Sequence, residues 1–221
     1  MPRHLFILNL HGVGAAKREV PATERSVWID GARFEAILEY AKARNDIELT
    51  FDDSNESDYT VALPALQARG MKAQFFLVAQ RIGQPSYLSA SQVKSLLAAG
   101  MEIGNHGMRH RPWARLDKSE LQEELVGARN QLEQLTGVRI DRASCPFGSY
   151  NRRVIRALRS AGYKHIYTSD GGPAMPGTFL ISRNTVHREH DLGKIKAIIF
   201  GRPSYARQFY KYFKLVMKRW L

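Results

Sequence analysis

Seven short apolar runs, most closing on polar or ionisable residues, alternate along this chain with segments of helical period. The runs are Leu5–Leu10, Ile47–Phe51, Lys72–Ala79, Met101–Gly104, Ala143–Phe147, Ile166–Ser169 and Phe179–Ser182. Helix ends can be read between them. Ser89 and Gln92 form a capping box with Gly100 as the stop, and Asp117 and Glu120 form another with Gly137 as the stop. Asn151 opens a third helix that ends near Gly162. Strands alternating with helices call for a parallel sheet, wound open or closed into a barrel. Residues 13–30 carry no assignable element.

Composition limits what such a sheet can belong to. The 221 residues are 44% hydrophobic and 24% charged, which suits one globular domain and excludes a disordered or fibrous chain. The lone Cys145 excludes an internal disulfide and a cysteine-based structural zinc site. No run reaches the roughly 18 apolar residues of a membrane span. The first ten residues turn polar too quickly for a secretory signal, so a cytoplasmic protein is expected.

Lys and Arg outnumber Asp and Glu by 33 to 21, a net charge of +12, and the excess is unevenly placed. Arg202, Arg207, Lys211, Lys214, Lys218 and Arg219 lie in a C-terminal stretch without an acid. At helical spacing, Tyr205, Phe209, Tyr212, Phe213, Val216 and Trp220 share one face, opposite Arg207, Lys211, Lys214 and Lys218. Such a basic amphipathic helix either docks on the domain by its aromatic face or rests on an anionic membrane surface. No nucleic-acid motif accompanies the charge, so a nucleic-acid partner is not expected. Oligomeric state cannot be read from the chain.

In parallel α/β folds, loops at the carboxyl ends of the strands converge on the ligand. Those positions here carry His11, Asp52-Asp53, Asn105-His106, Pro146-Phe147-Gly148 and Asp170. His106 and His110 are four residues apart, about one helical turn, a spacing that lets both face one metal ion. Adjacent carboxylates on an extended backbone point in different directions. One of Asp52 and Asp53 can therefore bind a metal while the other acts as a base, unless the pair simply caps a turn.

Thr50-Phe51-Asp52-Asp53, His106-Gly107-Met108-Arg109-His110 and Cys145-Pro146-Phe147-Gly148-Ser149-Tyr150 together resemble the motifs of polysaccharide deacetylases, the NodB-homology or carbohydrate-esterase-4 group. The likeness runs from about Leu5 to Val186. It implies a distorted (β/α)7 barrel over residues 1–200, followed by the basic amphipathic helix of 201–221. It also implies metal-dependent de-N-acetylation of an amino sugar in a saccharide or polysaccharide precursor. By this resemblance Asp53, His106 and His110 hold the metal, and Asp52 is the base that takes a proton from metal-bound water. Two imidazoles and a carboxylate accept zinc, the first expectation, or cobalt, nickel or iron. The Phe147 N–H, in the loop with Gly148, would stabilise the oxyanion. Phe147 and Tyr150 could offer apolar area to the acetyl group or sugar.

The chain departs from the common pattern in three places. Ser54 follows the Asp pair where the family usually has Gly. Ser144-Cys145 stands where an Arg commonly precedes the Pro, leaving Arg142 or Arg183 to reach the base from elsewhere. The usual Leu-x-His acid motif is missing, and His11 is favoured as the general acid over His187 and His190, which read as residues of a solvated loop. Asp170 would orient the acid or a sugar hydroxyl, or simply make a turn. Cys145 reads as inert. Two other functions remain: a catalytically impaired saccharide-binding barrel, and a hydrolase of non-sugar amides.

Overall fold

The computed structural model describes residues 5–175, 177–200, 213, 215, 216 and 218. Its strands are β1 (Phe6–Leu10), β2 (Ile47–Asp52), β3 (Gln74–Leu77), β4 (Glu102–Asn105), β5 (Arg142–Ser144), β6 (His165–Thr168), β7 (Leu180–Ser182) and β8 (Asn184–Thr185). All pairs are parallel, in the order β7-β6-β5-β4-β3-β2-β1-β8. Phe6 stands opposite Ile47, Thr50 opposite Gln74 and Arg142 opposite His165. Strands β7 and β8 are separated by Arg183 alone. One pairs with β6 and the other with β1, so residues 180–185 join the two edges of the sheet. Seven crossings of the chain therefore make a nearly closed, distorted (β/α)7 barrel, as expected.

Around the strands lie α1 (Ala22–Arg25), α2 (Gly31–Lys42), α3 (Leu63–Ala68), α4 (Ala90–Ala98), α5 (Lys118–Gln122), α6 (Ala128–Thr136), α7 (Arg152–Ser160) and α8 (Leu192–Phe200). Both capping boxes form, at Ser89/Gln92 and Asp117/Glu120. Gly137 ends α6 with φ 72°, and the Asn151 side chain accepts from the Val154 N–H to start α7. The region 13–30 that carried no sequence signal contains one helical turn, α1, and a bridge between Val13 and Ile29. Gly12 lies against the Trp28 ring, where an added Cβ would come within 2.1 Å of a ring carbon.

The two-residue period of the strands sorts side chains between two helix-covered clusters, the smaller holding Ala143, Ile166, Val154 and Leu158, and the barrel interior. Leu8, Leu10, Leu49, Phe51, Phe75, Leu77 and Ile103 point outward into the main helix-covered cluster. Inside the barrel, Ile7, Phe76, Tyr167 and Ile181 form a small apolar plug. Above it stands a buried polar layer of Asn9, Thr50, Asp52, Ser144 and Arg183. The barrel is thus a packed interior that becomes polar towards the carboxyl ends of its strands.

Beyond residue 200 the described positions are Phe213, Leu215, Val216 and Lys218, all helical. The remainder of the expected helix over 201–221 lies outside the described residues. Phe213, assigned by its spacing to the docked face, is 56% exposed, whereas Lys218, assigned to the outer stripe, contacts the barrel. Among the described residues, no helix is long and apolar enough to cross a membrane.

Gly104 in β4 leaves room for the plug. A Cβ there would lie 2.4 Å from the Phe76 ring and 3.2 Å from the Arg142 carbonyl. Gly104→Ala should therefore lower stability by about 1–3 kcal/mol through overpacking, measured by urea unfolding.

Candidate metal centre and active site

Asp52 ends β2 facing inward, where Arg183 meets it end-on through both terminal nitrogens: Nη1 lies 2.8 Å from Oδ1 and Nη2 lies 2.7 Å from Oδ2. Asn9 donates to Asp52 Oδ2 at 3.0 Å, and the Ser144 hydroxyl donates to it at 3.3 Å while accepting from Arg183 Nη2 at 2.5 Å. The Arg183 side chain is fully buried, and its guanidinium carbon lies 5.2 Å from the centre of the Phe76 ring below. Burial alone would raise the Asp52 pKa, but Arg183 and His106 outweigh it and hold the carboxyl well below its usual range.

A regular strand would turn the next side chain to the opposite face. The backbone instead enters the left-handed region at Asp53 (φ 82°) and Ser54 (φ 61°), which folds Asp53 back over the rim. This geometry explains why glycine is favoured at position 54. Ser54 compensates by accepting the Val78 N–H at 2.8 Å through its hydroxyl.

Asp53 Oδ1 lies 3.1 Å from His110 Nε2 and 3.5 Å from His106 Nε2. One candidate ligand atom from each of the three residues lies within 4.8 Å of the others. His106 Nδ1 is 2.9 Å from the Ser144 carbonyl. This places the ring proton on Nδ1 and leaves Nε2 as the lone-pair donor, as metal-ligating histidines require. Asp53 Oδ1 is buried without a hydrogen-bond partner among the described residues. Burial pushes the His110 pKa down to about 3 against the pull of Asp53, keeping that imidazole neutral. His106 moves the other way, because Asp52 and Asp53 together outweigh the cost of burying its charge. A carboxylate oxygen that accepts no hydrogen bond, faces two Nε2 atoms and has Arg81 Nη1 only at 3.6 Å fits a divalent cation of the zinc class.

The histidines converge, but not through the helical turn suggested by their spacing. Residues 106–110 form a non-helical loop with positive φ at Gly107 (90°) and His110 (56°). Buried Glu124 holds this loop by accepting the N–H groups of Met108 (2.9 Å) and Arg109 (3.0 Å). An added Cβ at Gly107 would come within 2.3 Å of Glu124 Oε2. Sequence reasoning gave Glu124 no role, although it falls on the apolar face of its helical segment, between Leu121 and Leu125. Asn9, Ser144 and Arg81 were likewise missed. Arg81 donates to the Asp53 carbonyl at 3.2 Å and to Glu24 Oε1 at 3.0 Å.

A cleft of about 610 Å³ opens over these groups, and His11, Phe147, Asp170, His187 and His190 line it with the metal-site residues. His11 is half-buried, and its covered Nδ1 has no partner among the described residues. Burial lowers its pKa despite the nearby Asp53 and Asp52. His187 and His190 lie in the loop after β8, half-buried, and both line the cleft.

Other expectations also change. Arg142 pairs with Glu102 at the far end of the barrel, so Arg183 alone supplies the guanidinium to Asp52. Arg183 borders the cleft, but its fully buried guanidinium is committed to Asp52 and its neighbours. Tyr150 is 3% exposed and donates to Asp170 Oδ2 at 2.5 Å, so its ring offers a sugar little surface. Asp170 also receives Lys218 at 3.2 Å, and the structure records no bond from it to His11. Phe147 (φ 57°) and Gly148 (φ 59°) form a left-handed turn that presents the Phe147 ring 60% exposed, 4.5 Å from the His110 ring. The Cys145 thiol is buried, and that burial pushes its pKa up, consistent with an inert group.

A family model described as polysaccharide deacetylase matches residues 39–166. A peptidoglycan-N-acetylglucosamine deacetylase of Bacillus cereus is 30% identical over 125 residues, covering 56% of this chain and 56% of the relative. The chain spans about half the length of the curated relatives it matches. In fold, it is similar to the deacetylase PplD of Streptococcus pyogenes in complex with acetate (TM-score 0.79, 19% identity, 92% of this chain and 100% of the other). The IcaB structure from Ammonifex degensii gives TM-score 0.74 at 19% identity, covering 89% and 97%.

Removing Arg183 would strand a buried carboxylate, so Arg183→Met should cost about 3–5 kcal/mol at pH 7. The depressed Asp52 pKa makes the pair's contribution complete above the unfolded value near ~3.9, and it declines as pH falls towards the folded value. The gap between wild type and Arg183→Met should therefore narrow below about pH 4, when urea midpoints are compared at both pH values.

Proposed function

This chain belongs to the polysaccharide deacetylase family, and on that premise we propose that it removes N-acetyl groups from an amino sugar in a saccharide or polysaccharide precursor, with a divalent metal at Asp53, His106 and His110. The observation that carries this reading is the pairing of an Asp53 oxygen that accepts no hydrogen bond and faces two Nε2 atoms with Asp52, ionised and tethered beside them. Zinc suits this donor set, and cobalt, nickel or iron would also fit. The cation supplies Lewis acidity, polarising the acetyl carbonyl and acidifying water at the site.

The chain's own groups do the rest. Arg183 makes Asp52 a weak base, sufficient only for a water whose own pKa has fallen. Asp52 takes one proton as the water oxygen attacks the carbonyl carbon. The Phe147 N–H is assigned to the oxyanion, and the exposed Phe147 ring to the acetyl or sugar face. The C–N bond then breaks towards an amine that must receive a proton, a role we assign to His11 in the cleft lining, which must take up that proton against the burial that lowers its pKa. Acetate and the free amino sugar result. His187 and His190, which also line the cleft, are the alternative candidates for the acid.

We place this reaction at the cytoplasmic face of an anionic membrane. Support for that placement comes from the basic residues of 202–219 alone. Flotation with anionic vesicles tests it, and failure to co-float removes it.

Acetate release from N-acetylglucosamine oligomers and from nucleotide- and lipid-linked acetamido sugars should appear with zinc and vanish with a chelator. Asp52→Asn should lower kcat by about 10²–10⁴-fold without changing metal content. His110→Ala should lose the metal, as measured by elemental analysis. Sugar binding without turnover in metal-loaded wild type would instead establish the binding-protein reading, and turnover confined to non-sugar amides would establish the other hydrolase.

A further inference from the structure

One contact of the C-terminal segment reaches the cleft rim. Lys218 Nζ donates to the Gly148 carbonyl at 2.9 Å and to Asp170 Oδ1 at 3.2 Å, and lies 4.7 Å from the centre of the Tyr150 ring. Tyr150 in turn occupies the other Asp170 oxygen at 2.5 Å. The Lys218 and Asp170 side chains are 24% and 4% exposed, so this amine is largely withdrawn from water.

Its partners belong to the loops after two neighbouring strands, β5 and β6. Between them sits the Phe147–Gly148 turn, with two successive residues at positive φ. A left-handed non-glycine residue such as Phe147 is costly and persists only where its surroundings enforce it. Within the loop, Gly148 N–H donates to the Cys145 carbonyl at 2.9 Å and Ser149 N–H to the Pro146 carbonyl at 2.9 Å. Lys218 adds a restraint from outside, 70 residues along the chain.

We propose that Lys218 is a positioning residue, holding the left-handed turn at Phe147–Gly148 against Asp170 so that the Phe147 peptide, assigned above to the oxyanion, keeps its place at the cleft. Lys218 is then a working part of the active site as well as one of the basic residues of the C-terminal stretch. The consequence for turnover rests on the deacetylase reading; the restraint on the turn does not.

The test compares full-length wild type, Lys218→Met and Lys218→Arg by hydrogen exchange and by acetate release. In Lys218→Met, amides of residues 145–151 should exchange about tenfold faster, the factor that ~1.4 kcal/mol represents, while the β-strands keep their wild-type rates. The kcat should fall roughly tenfold with KM within about twofold, as expected when an oxyanion donor is loosened rather than removed. Lys218→Arg, which retains a cation for Asp170, should restore most of both. Wild-type exchange over 145–151 in Lys218→Met overturns the proposal. So does faster exchange spread evenly through the strands, or an unchanged kcat in an active preparation. If wild type releases no acetate while the turn still loosens in Lys218→Met, the deacetylase reading fails and the restraint stands.

Discussion

The fully buried pair of Arg183 and Asp52 organises this molecule. A guanidinium at zero exposure needs an anion, and an anion at the centre of a barrel needs several donors. Asp52 receives Arg183, Asn9 and Ser144 from three different strand ends, while Thr50 donates to Asn9 Oδ1 at 2.7 Å. Each residue of the polar layer is thus held by others, and the layer fixes where Asp52 points. The same pairing sets its chemistry: the carboxylate stays ionised and oriented, at the cost of intrinsic basicity.

Much of this was legible in the sequence because it rests on local patterns. Seven strand sites, two capping boxes and the stop at Gly137 follow from apolar period and cap chemistry, and each appears in place. Asp53, His106 and His110 come together as the motif order suggested. The helix α2 was not singled out, although Phe34, Ile37, Leu38 and Ala41 carry its period and Asp30 caps it. The region 13–30 stayed unread because it gains its form from contact, with Gly12 under Trp28 and Arg18 bound to Glu24 and Asn55.

What the sequence hid was connection over distance. The spacing of His106 and His110 suggested a helical turn, whereas a Gly107 loop clasped by Glu124 brings them together. No local pattern tells a buried glutamate on an apolar stripe from an exposed one. Arg183 was one of two candidates for the base's partner. Only the placement of Arg142 at the opposite end of β5 separates them. Tyr150 and Asp170 were read as facing substrate, yet each satisfies the other.

Arg183 also lies at the seam where residues 180–185 join the two sheet edges, 131 positions after Asp52 and 174 after Asn9. During synthesis, the carboxylates and imidazoles therefore leave the ribosome long before the residue that organises Asp52. A nascent chain of that length carries Asp52, Asp53, His106 and His110 without the contacts that arrange Asp52. The polar layer around Asp52 can close only after residue 183 has emerged, because it depends on contacts 131 and 174 residues apart.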